Sequence, residues 1–134
     1  MMSRITAEPH RTQLPMTSFF SRLFAAKPTD EAGWLTPEDL APHLSDALII
    51  DVRGPGEFTG PLGHIDGARN IPLDVFAGET EALLKHEGSI VLVCHTDRRS
   101  SAAAAHLRSA GATDVTVLRG GMVAWRASGA INGP

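Results

Sequence analysis

The stretch Ser89-Ile90-Val91-Leu92-Val93-Cys94-His95-Thr96-Asp97-Arg98-Arg99-Ser100 passes from an unbroken apolar run into a polar loop, and an alanine-rich segment follows it. Apolar residues without alternation mark a strand buried on both faces, as in a parallel sheet covered by helices. The alanines and Leu107 predict a helix over Ser100 to Ala110, with Gly111 placed to end it in a left-handed cap.

The same alternation extends outward in both directions. On the amino-terminal side, Thr36-Pro37-Glu38-Asp39-Leu40 carries an N-cap, a proline at the first helical position and acids in the first turn. Leu40 and His43-Leu44 give that helix an inward face, and Ala47 to Val52 is a second buried strand. Gly54, Gly56, Gly60, Pro61 and Gly63 break up a long connection that leads to a short strand around Ala68 to Ile71. Glu79 to His86 reads as a helix stopped by Gly88, Val115 to Leu118 as the last strand, and Gly120-Gly121 as the turn into a final helix carrying Trp125. Strand and helix alternate with short connections, which predicts a single α/β domain with a mainly parallel central sheet and helices on both faces. The expected division is an amino-terminal extension over 1-33, flexible or peripheral, the domain over 34-128, and a carboxyl-terminal tail over 129-134.

A chain of 134 residues suits one domain with a real core. Twelve basic against 15 acidic residues give no global field for nucleic acid or an anionic membrane, so any anion preference must be local. One cysteine excludes an internal disulfide and fits a reducing setting, hence an expected cytoplasmic location, although a periplasmic protein without disulfides has the same signature. Six scattered histidines show no metal-ligand spacing, so neither a metal nor another cofactor is expected. No apolar stretch approaches the ~20 residues of a membrane span. Phe19 to Ala26, the most hydrophobic part of the amino terminus, is cut by Arg22 and is shorter than a usual signal core.

Cys94 stands at the carboxyl end of a predicted strand with the next helix aimed at it. Ligands of open parallel sheets bind at that edge. Unpaired N–H groups and the positive end of the helix dipole there favour thiolate over thiol, which makes Cys94 a candidate nucleophile. A lone cysteine is also compatible with a small buried hydrophobe. The five polar residues after it, two of them arginines, argue for chemistry instead.

Three separated segments carry a family resemblance. Asp51-Val52-Arg53 with Glu57-Phe58 and Gly63-His64-Ile65-Asp66-Gly67-Ala68-Arg69-Asn70-Ile71-Pro72-Leu73, then the loop from Cys94, then Val117-Leu118-Arg119-Gly120-Gly121-Met122-Val123-Ala124-Trp125, together resemble the rhodanese-like family of sulfurtransferases over roughly residues 34 to 128. The resemblance implies a single-domain sulfurtransferase in which Cys94 takes sulfane sulfur from thiosulfate or another donor as a persulfide and passes it to a thiol or cyanide. It also implies that the partners are a small sulfur-containing anion as donor and an external thiol or protein as acceptor.

Within the loop, His95, Thr96, Asp97, Arg98 and Arg99 are the expected substrate-binding residues. Successive inward N–H groups would form an anion nest, and the arginines would add a local positive field. Arg99, ending the loop, is expected to face the pocket, and Ser100 to cap the helix. Many family members have glycine where this chain has Asp97, a residue that tolerates left-handed backbone but whose carboxylate would oppose a thiolate it faced. Thr96 stands where two-domain thiosulfate enzymes of the family place a basic side chain. Asp51, Arg53, Glu57 and His64 are expected to support the site, with Arg53 as the nearest partner for a buried Asp51 carboxylate. Trp34 and Trp125 are expected in the core or at its rim.

Two other functions compete. Dual-specificity phosphatases that share this architecture separate cysteine and arginine by five residues, whereas four lie between Cys94 and Arg99, a smaller ring that suits sulfur. The alternative closer to the family is a non-enzymatic rhodanese-like module, regulatory or carrying a persulfide between proteins. Retention of the cysteine argues against a purely regulatory role, and the lack of a second thiol requires an outside acceptor in either case.

Overall fold

A computed structural model describes residues 33–129. The expectations for the amino-terminal extension, Phe19 to Ala26 included, fall outside the described residues, as do those for nearly all of the carboxyl-terminal tail. Five strands form one sheet: β1 (Trp34–Leu35), β2 (Ala47–Asp51), β3 (Arg69–Asn70), β4 (Ser89–Val93) and β5 (Val115–Leu118). Their order is β1-β5-β4-β2-β3, and every pairing is parallel. The helices are α1 (Pro37–Leu40), α2 (Pro55–Phe58), α3 (Leu73–Phe76), α4 (Thr80–Leu84), α5 (Arg98–Ser109) and α6 (Gly121–Ala127), with 3-10 turns over Ala41–Asp46 and Ala77–Glu79.

The central strand β4 shows why helices cover both faces. Ile90 and Leu92 point into one cluster with Phe76, Leu83, Ala103, Ala104 and Leu107, whereas Val91 and Val93 point into another with Leu40, Ile65, Met122 and Trp125. With no wet face, the strand has no use for alternating polarity. Ala103 and Ala104 bring α5 close against the sheet, and Leu107, fully buried, anchors it.

The N-cap expected at Thr36 is a full capping box. Thr36 Oγ1 accepts from the Asp39 N–H and Asp39 reaches back to the Thr36 N–H. Three elements were not expected from the sequence. β1 is two residues long, too short for any periodicity, and exists because the Val117 and Arg119 N–H groups along β5 donate to the carbonyls of Gly33 and Leu35. α2 interrupts the glycine-rich connection, its signal being Pro55 at the first position and Glu57 at the third. α3 follows Pro72 and buries Phe76.

Candidate active site

The carboxyl edge of the sheet is stapled by a buried ion pair. Arg53 donates to Asp51 through Nε (2.9 Å to Oδ1) and Nη2 (2.8 Å to Oδ2), and both side chains are about 1% exposed. The Arg53 N–H adds a third bond to Oδ1 at 3.1 Å. Arg53 also donates through Nη1 to the Glu57 carbonyl (3.1 Å) and through Nη2 to the Gly63 carbonyl (2.7 Å), so the charge that satisfies Asp51 also fastens the 54–63 loop to the strand ends. His64 Nδ1–H donates to the Phe58 carbonyl at 2.8 Å while its ring stacks on Phe58 with centroids 3.7 Å apart. Asn70, which the sequence did not single out, donates to the carbonyls of Asp51 and Arg53 at 3.0 and 2.8 Å. Its signal was a side-chain amide at the end of a two-residue edge strand.

This framework presents Glu57 to the next loop. Arg99 Nη1–H and Nη2–H donate to Glu57 Oε2 and Oε1 at 2.8 and 3.0 Å, a bidentate pair joining α2 to α5. Glu57 also accepts the Gly54 N–H at 3.2 Å. The Arg99 hydrogen bond, helped by the Gly54 N–H and opposed by burial, lowers the Glu57 carboxyl to about 2. The same pairing raises Arg99.

Cys94 follows β4 and is 1% exposed, deeper than an open loop cysteine would be. Its side chain nonetheless lines a cavity of about 520 Å³ with Leu73, His95, Thr96, Arg98, Arg99 and Ala102. A second hollow of about 390 Å³ adjoins it, sharing Leu73 and Arg99 and adding Glu57 and Asp74. Among the described residues both hydrogen-bond partners of Cys94 Sγ come from Ser100. The Ser100 N–H donates at 3.3 Å and Oγ lies at 3.2 Å.

Ser100 is therefore not the helix cap expected of it. α5 starts at Arg98 with Asp97 as N-cap residue, so Arg99 and Ser100 occupy the first turn. The dipole of this 12-residue helix points its positive end at the sulfur. The first turn wins these residues because Arg98 and Arg99 are better helix formers than Asp97, and because the Ser101 N–H already bonds the Asp97 carbonyl at 2.9 Å.

The loop is held from behind by α6. The Met122 N–H donates to the Cys94 carbonyl (2.9 Å) and the Val123 N–H to the His95 carbonyl (3.2 Å), which satisfies orphan donors at the α6 amino end. The peptides are trans, so the N–H groups of His95 and Thr96 point the opposite way, away from the α6 donors. Gly121 has φ +56°, and a Cβ there would overlap the carbonyl oxygens of Cys94, His95 and Thr96. Its glycine is thus demanded by close approach of the loop as well as by the turn.

Asp97 does not use left-handed backbone, since its φ is −132°. Its Oδ1 accepts the Gly120 N–H at 2.7 Å, so this carboxylate is committed to the α6 turn. His95 and Thr96 are exposed on the cavity rim. Arg98 is exposed, lines the cavity and has no hydrogen-bonding or ionic partner among the described residues. The sequence had favoured Arg99 as the pocket cation. Arg99 does border the cavity, but its charge is already engaged. Trp125 is fully buried and Trp34 carries the Arg119 guanidinium 4.7 Å over its ring. No helix among the described residues is long and apolar enough to cross a membrane.

Residues 36–128 match the family model of the rhodanese-like domain. The chain is similar to a probable adenylyltransferase/sulfurtransferase, MoeZ, of Mycobacterium tuberculosis, at 40% identity over 95 residues covering 68% of this chain and 24% of that one. It spans only about a quarter of that relative. It is also similar to the thiosulfate sulfurtransferase GlpE of Pseudomonas aeruginosa, at 35% identity over 80 residues covering 60% of this chain and 70% of the other. Among solved structures, a rhodanese-related protein from Thermoplasma volcanium superposes with a TM-score of 0.64 at 26% identity, covering 72% of this chain and 93% of its own.

Proposed function

Because the chain belongs to the rhodanese-like domain family, we propose that it is a sulfurtransferase whose Cys94 thiolate accepts a sulfane sulfur and delivers it to an external thiol or cyanide. The observation that carries this reading is the setting of Sγ. Cys94 lines a cavity, and its Sγ receives the first-turn N–H of Ser100 at the amino end of α5.

The thiolate attacks the outer sulfur of the donor, a new S–S bond forms to Cys94, and the donor's own S–S bond breaks with its electron pair leaving on the departing group. From thiosulfate the departing group is sulfite. The added sulfur extends from Sγ into the cavity lined by His95 and Thr96, whose N–H groups, turned away from α6, are the donors proposed to meet its charge. The Ser100 hydroxyl has two acceptors within reach, Sγ and the Asp97 carbonyl at 3.2 Å. It turns to the sulfur when that atom is anionic and to the carbonyl when the thiol carries its proton. An acceptor thiolate then attacks the outer sulfur and Cys94 leaves as thiolate, which completes a ping-pong cycle. With one cysteine in the chain, the acceptor comes from outside.

Intact-mass measurement after incubation with thiosulfate, 3-mercaptopyruvate or glutathione persulfide tests the reading. The expected result is a gain of one sulfur atom that cyanide removes and that Cys94→Ser never acquires. Sulfur retained by Cys94→Ser would place the chemistry elsewhere. A native chain that gains sulfur but turns over no acceptor would be a carrier instead of an enzyme.

A further inference from the structure

We infer that Glu57 is a specificity-determining residue that steers the site away from small dianionic donors and towards persulfides carried on an organic thiol. The inference rests on the sulfurtransferase reading and concerns the donor at the same site. Two guanidinium groups, Arg98 and Arg99, line the Cys94 cavity and could together match a doubly charged donor. Glu57 takes both forks of Arg99 at 2.8 and 3.0 Å, leaving Arg98 as the one unengaged cation on the cavity wall among the described residues. Asp74 borders the adjoining hollow and adds a further negative charge, while the Asp97 carboxylate is held by the Gly120 N–H. The groups around the opening therefore sum to no net positive charge.

A dianion such as thiosulfate meets little attraction in that setting, whereas the persulfide end of an organic donor carries at most one negative charge and reacts in its protonated form, R–S–SH. Leu73 and Ala102 supply apolar wall on which the carbon chain of such a donor can rest. The transfer balances without any co-reactant. Cys94–S⁻ attacks the outer sulfur of R–S–SH, Cys94–S–SH forms with the hydrogen still on the outer sulfur, and R–S⁻ departs with the electron pair of the broken bond.

Glu57 acts through Arg99 and touches no reacting atom, so its role shows as a change of selectivity. In the native protein, kcat/KM for glutathione persulfide is expected to exceed that for thiosulfate by more than about tenfold. Glu57→Gln keeps an oxygen for Arg99 and for the Gly54 N–H but removes the charge. The thiosulfate-to-persulfide ratio of kcat/KM should rise about tenfold, mostly through a lower KM for thiosulfate. Arg99→Gln should move the ratio the opposite way, and Glu57→Gln/Arg99→Gln should return it to within about threefold of the native value. A brace without an electrostatic role would instead lower both activities together in every variant. That outcome, or a native preference for thiosulfate, overturns the inference and leaves the sulfurtransferase reading standing. Failure of Cys94 to gain sulfur from either donor overturns the reading itself.

Discussion

At Gly121 a methyl group has nowhere to go. Its Cβ would overlap three carbonyl oxygens of the loop that starts at Cys94, and its backbone lies in the left-handed region. Gly121→Ala should cost about 2–4 kcal/mol in urea denaturation, combining backbone strain with overpacking, and should slow Cys94 alkylation by displacing the loop. Ser100→Ala leaves the N–H of that residue in place but removes the hydroxyl 3.2 Å from Sγ. Alkylation of Cys94 by iodoacetamide at neutral pH is expected to slow about 3- to 10-fold, the worth of one hydrogen bond to a charged atom. Glu57 gives a pH signature. Its carboxyl is lowered to about 2 from an ordinary 4.5, chiefly by Arg99. A depressed carboxylate contributes stability that is complete above the ordinary value and is lost as pH falls through about 2, so the Glu57–Arg99 pair should survive at pH 4. A carboxyl ¹³C titration of Glu57 that turned near its ordinary midpoint would show the pair to be absent in solution. These side chains were readable as a set from the family resemblance, whereas the pairing of Glu57 with Arg99, 42 positions apart, was not. The sequence carries the two charges and no record of their distance.

Among the elements, the 54–63 loop is held at two of its carbonyls by one side chain. Arg53 neutralises Asp51 and holds the carbonyls of Glu57 and Gly63. Arg53→Met keeps much of the bulk but strands a buried carboxylate, so a loss of about 3–5 kcal/mol is expected in urea denaturation. Asp51→Asn should recover part of it in the Arg53→Met background, since the uncompensated charge is the main cost. At the other end of the sheet, burial raises Asp114 while the Ser89 hydroxyl, donating at 2.7 Å, opposes the shift. A carboxyl raised in the folded state costs stability once ionised. Asp114→Asn should accordingly raise the melting temperature at neutral pH, with the gain fading as the solution is acidified below the folded pKa. At this scale the sequence was legible where an element carried its own signal. The capping box at Thr36, the apolar run of β4 and the alanines of α5 each fix their structure locally. The start of α5 was misjudged by two residues, because an arginine pair reads as loop or as first turn until Glu57 and the Asp97 carbonyl are in place. β1 and α3 are short, and tertiary pairing and the burial of Phe76 create them.

Across the whole molecule, one parallel sheet separates two apolar clusters that share no residue. Ile90→Val in one and Ile65→Val in the other should each cost about 0.5–1.5 kcal/mol. The double variant should match their sum within about 0.5 kcal/mol while still unfolding in one transition, which urea melts followed by fluorescence and by circular dichroism can check. Two separate transitions would mean that the faces fold as independent units. The sheet order β1-β5-β4-β2-β3 brings the ends of β2, β4 and β5 to one edge, and the site is built there from residues 51 to 123. By itself the sequence determined the α/β class, the strand–loop–helix unit around Cys94 and the framework role of Asp51 and Arg53, because apolar run length, helix caps and a buried charge's need for a partner are properties of short segments. Only the tertiary structure decided that Arg99 is neutralised, that Arg98 is left unengaged among the described residues, that Asp97 turns to Gly120 and that Cys94 lines a cavity. Those outcomes depend on distances between segments far apart in the chain, and charges and hydrogen bonds act over ångströms of space, whatever the count of residues between them.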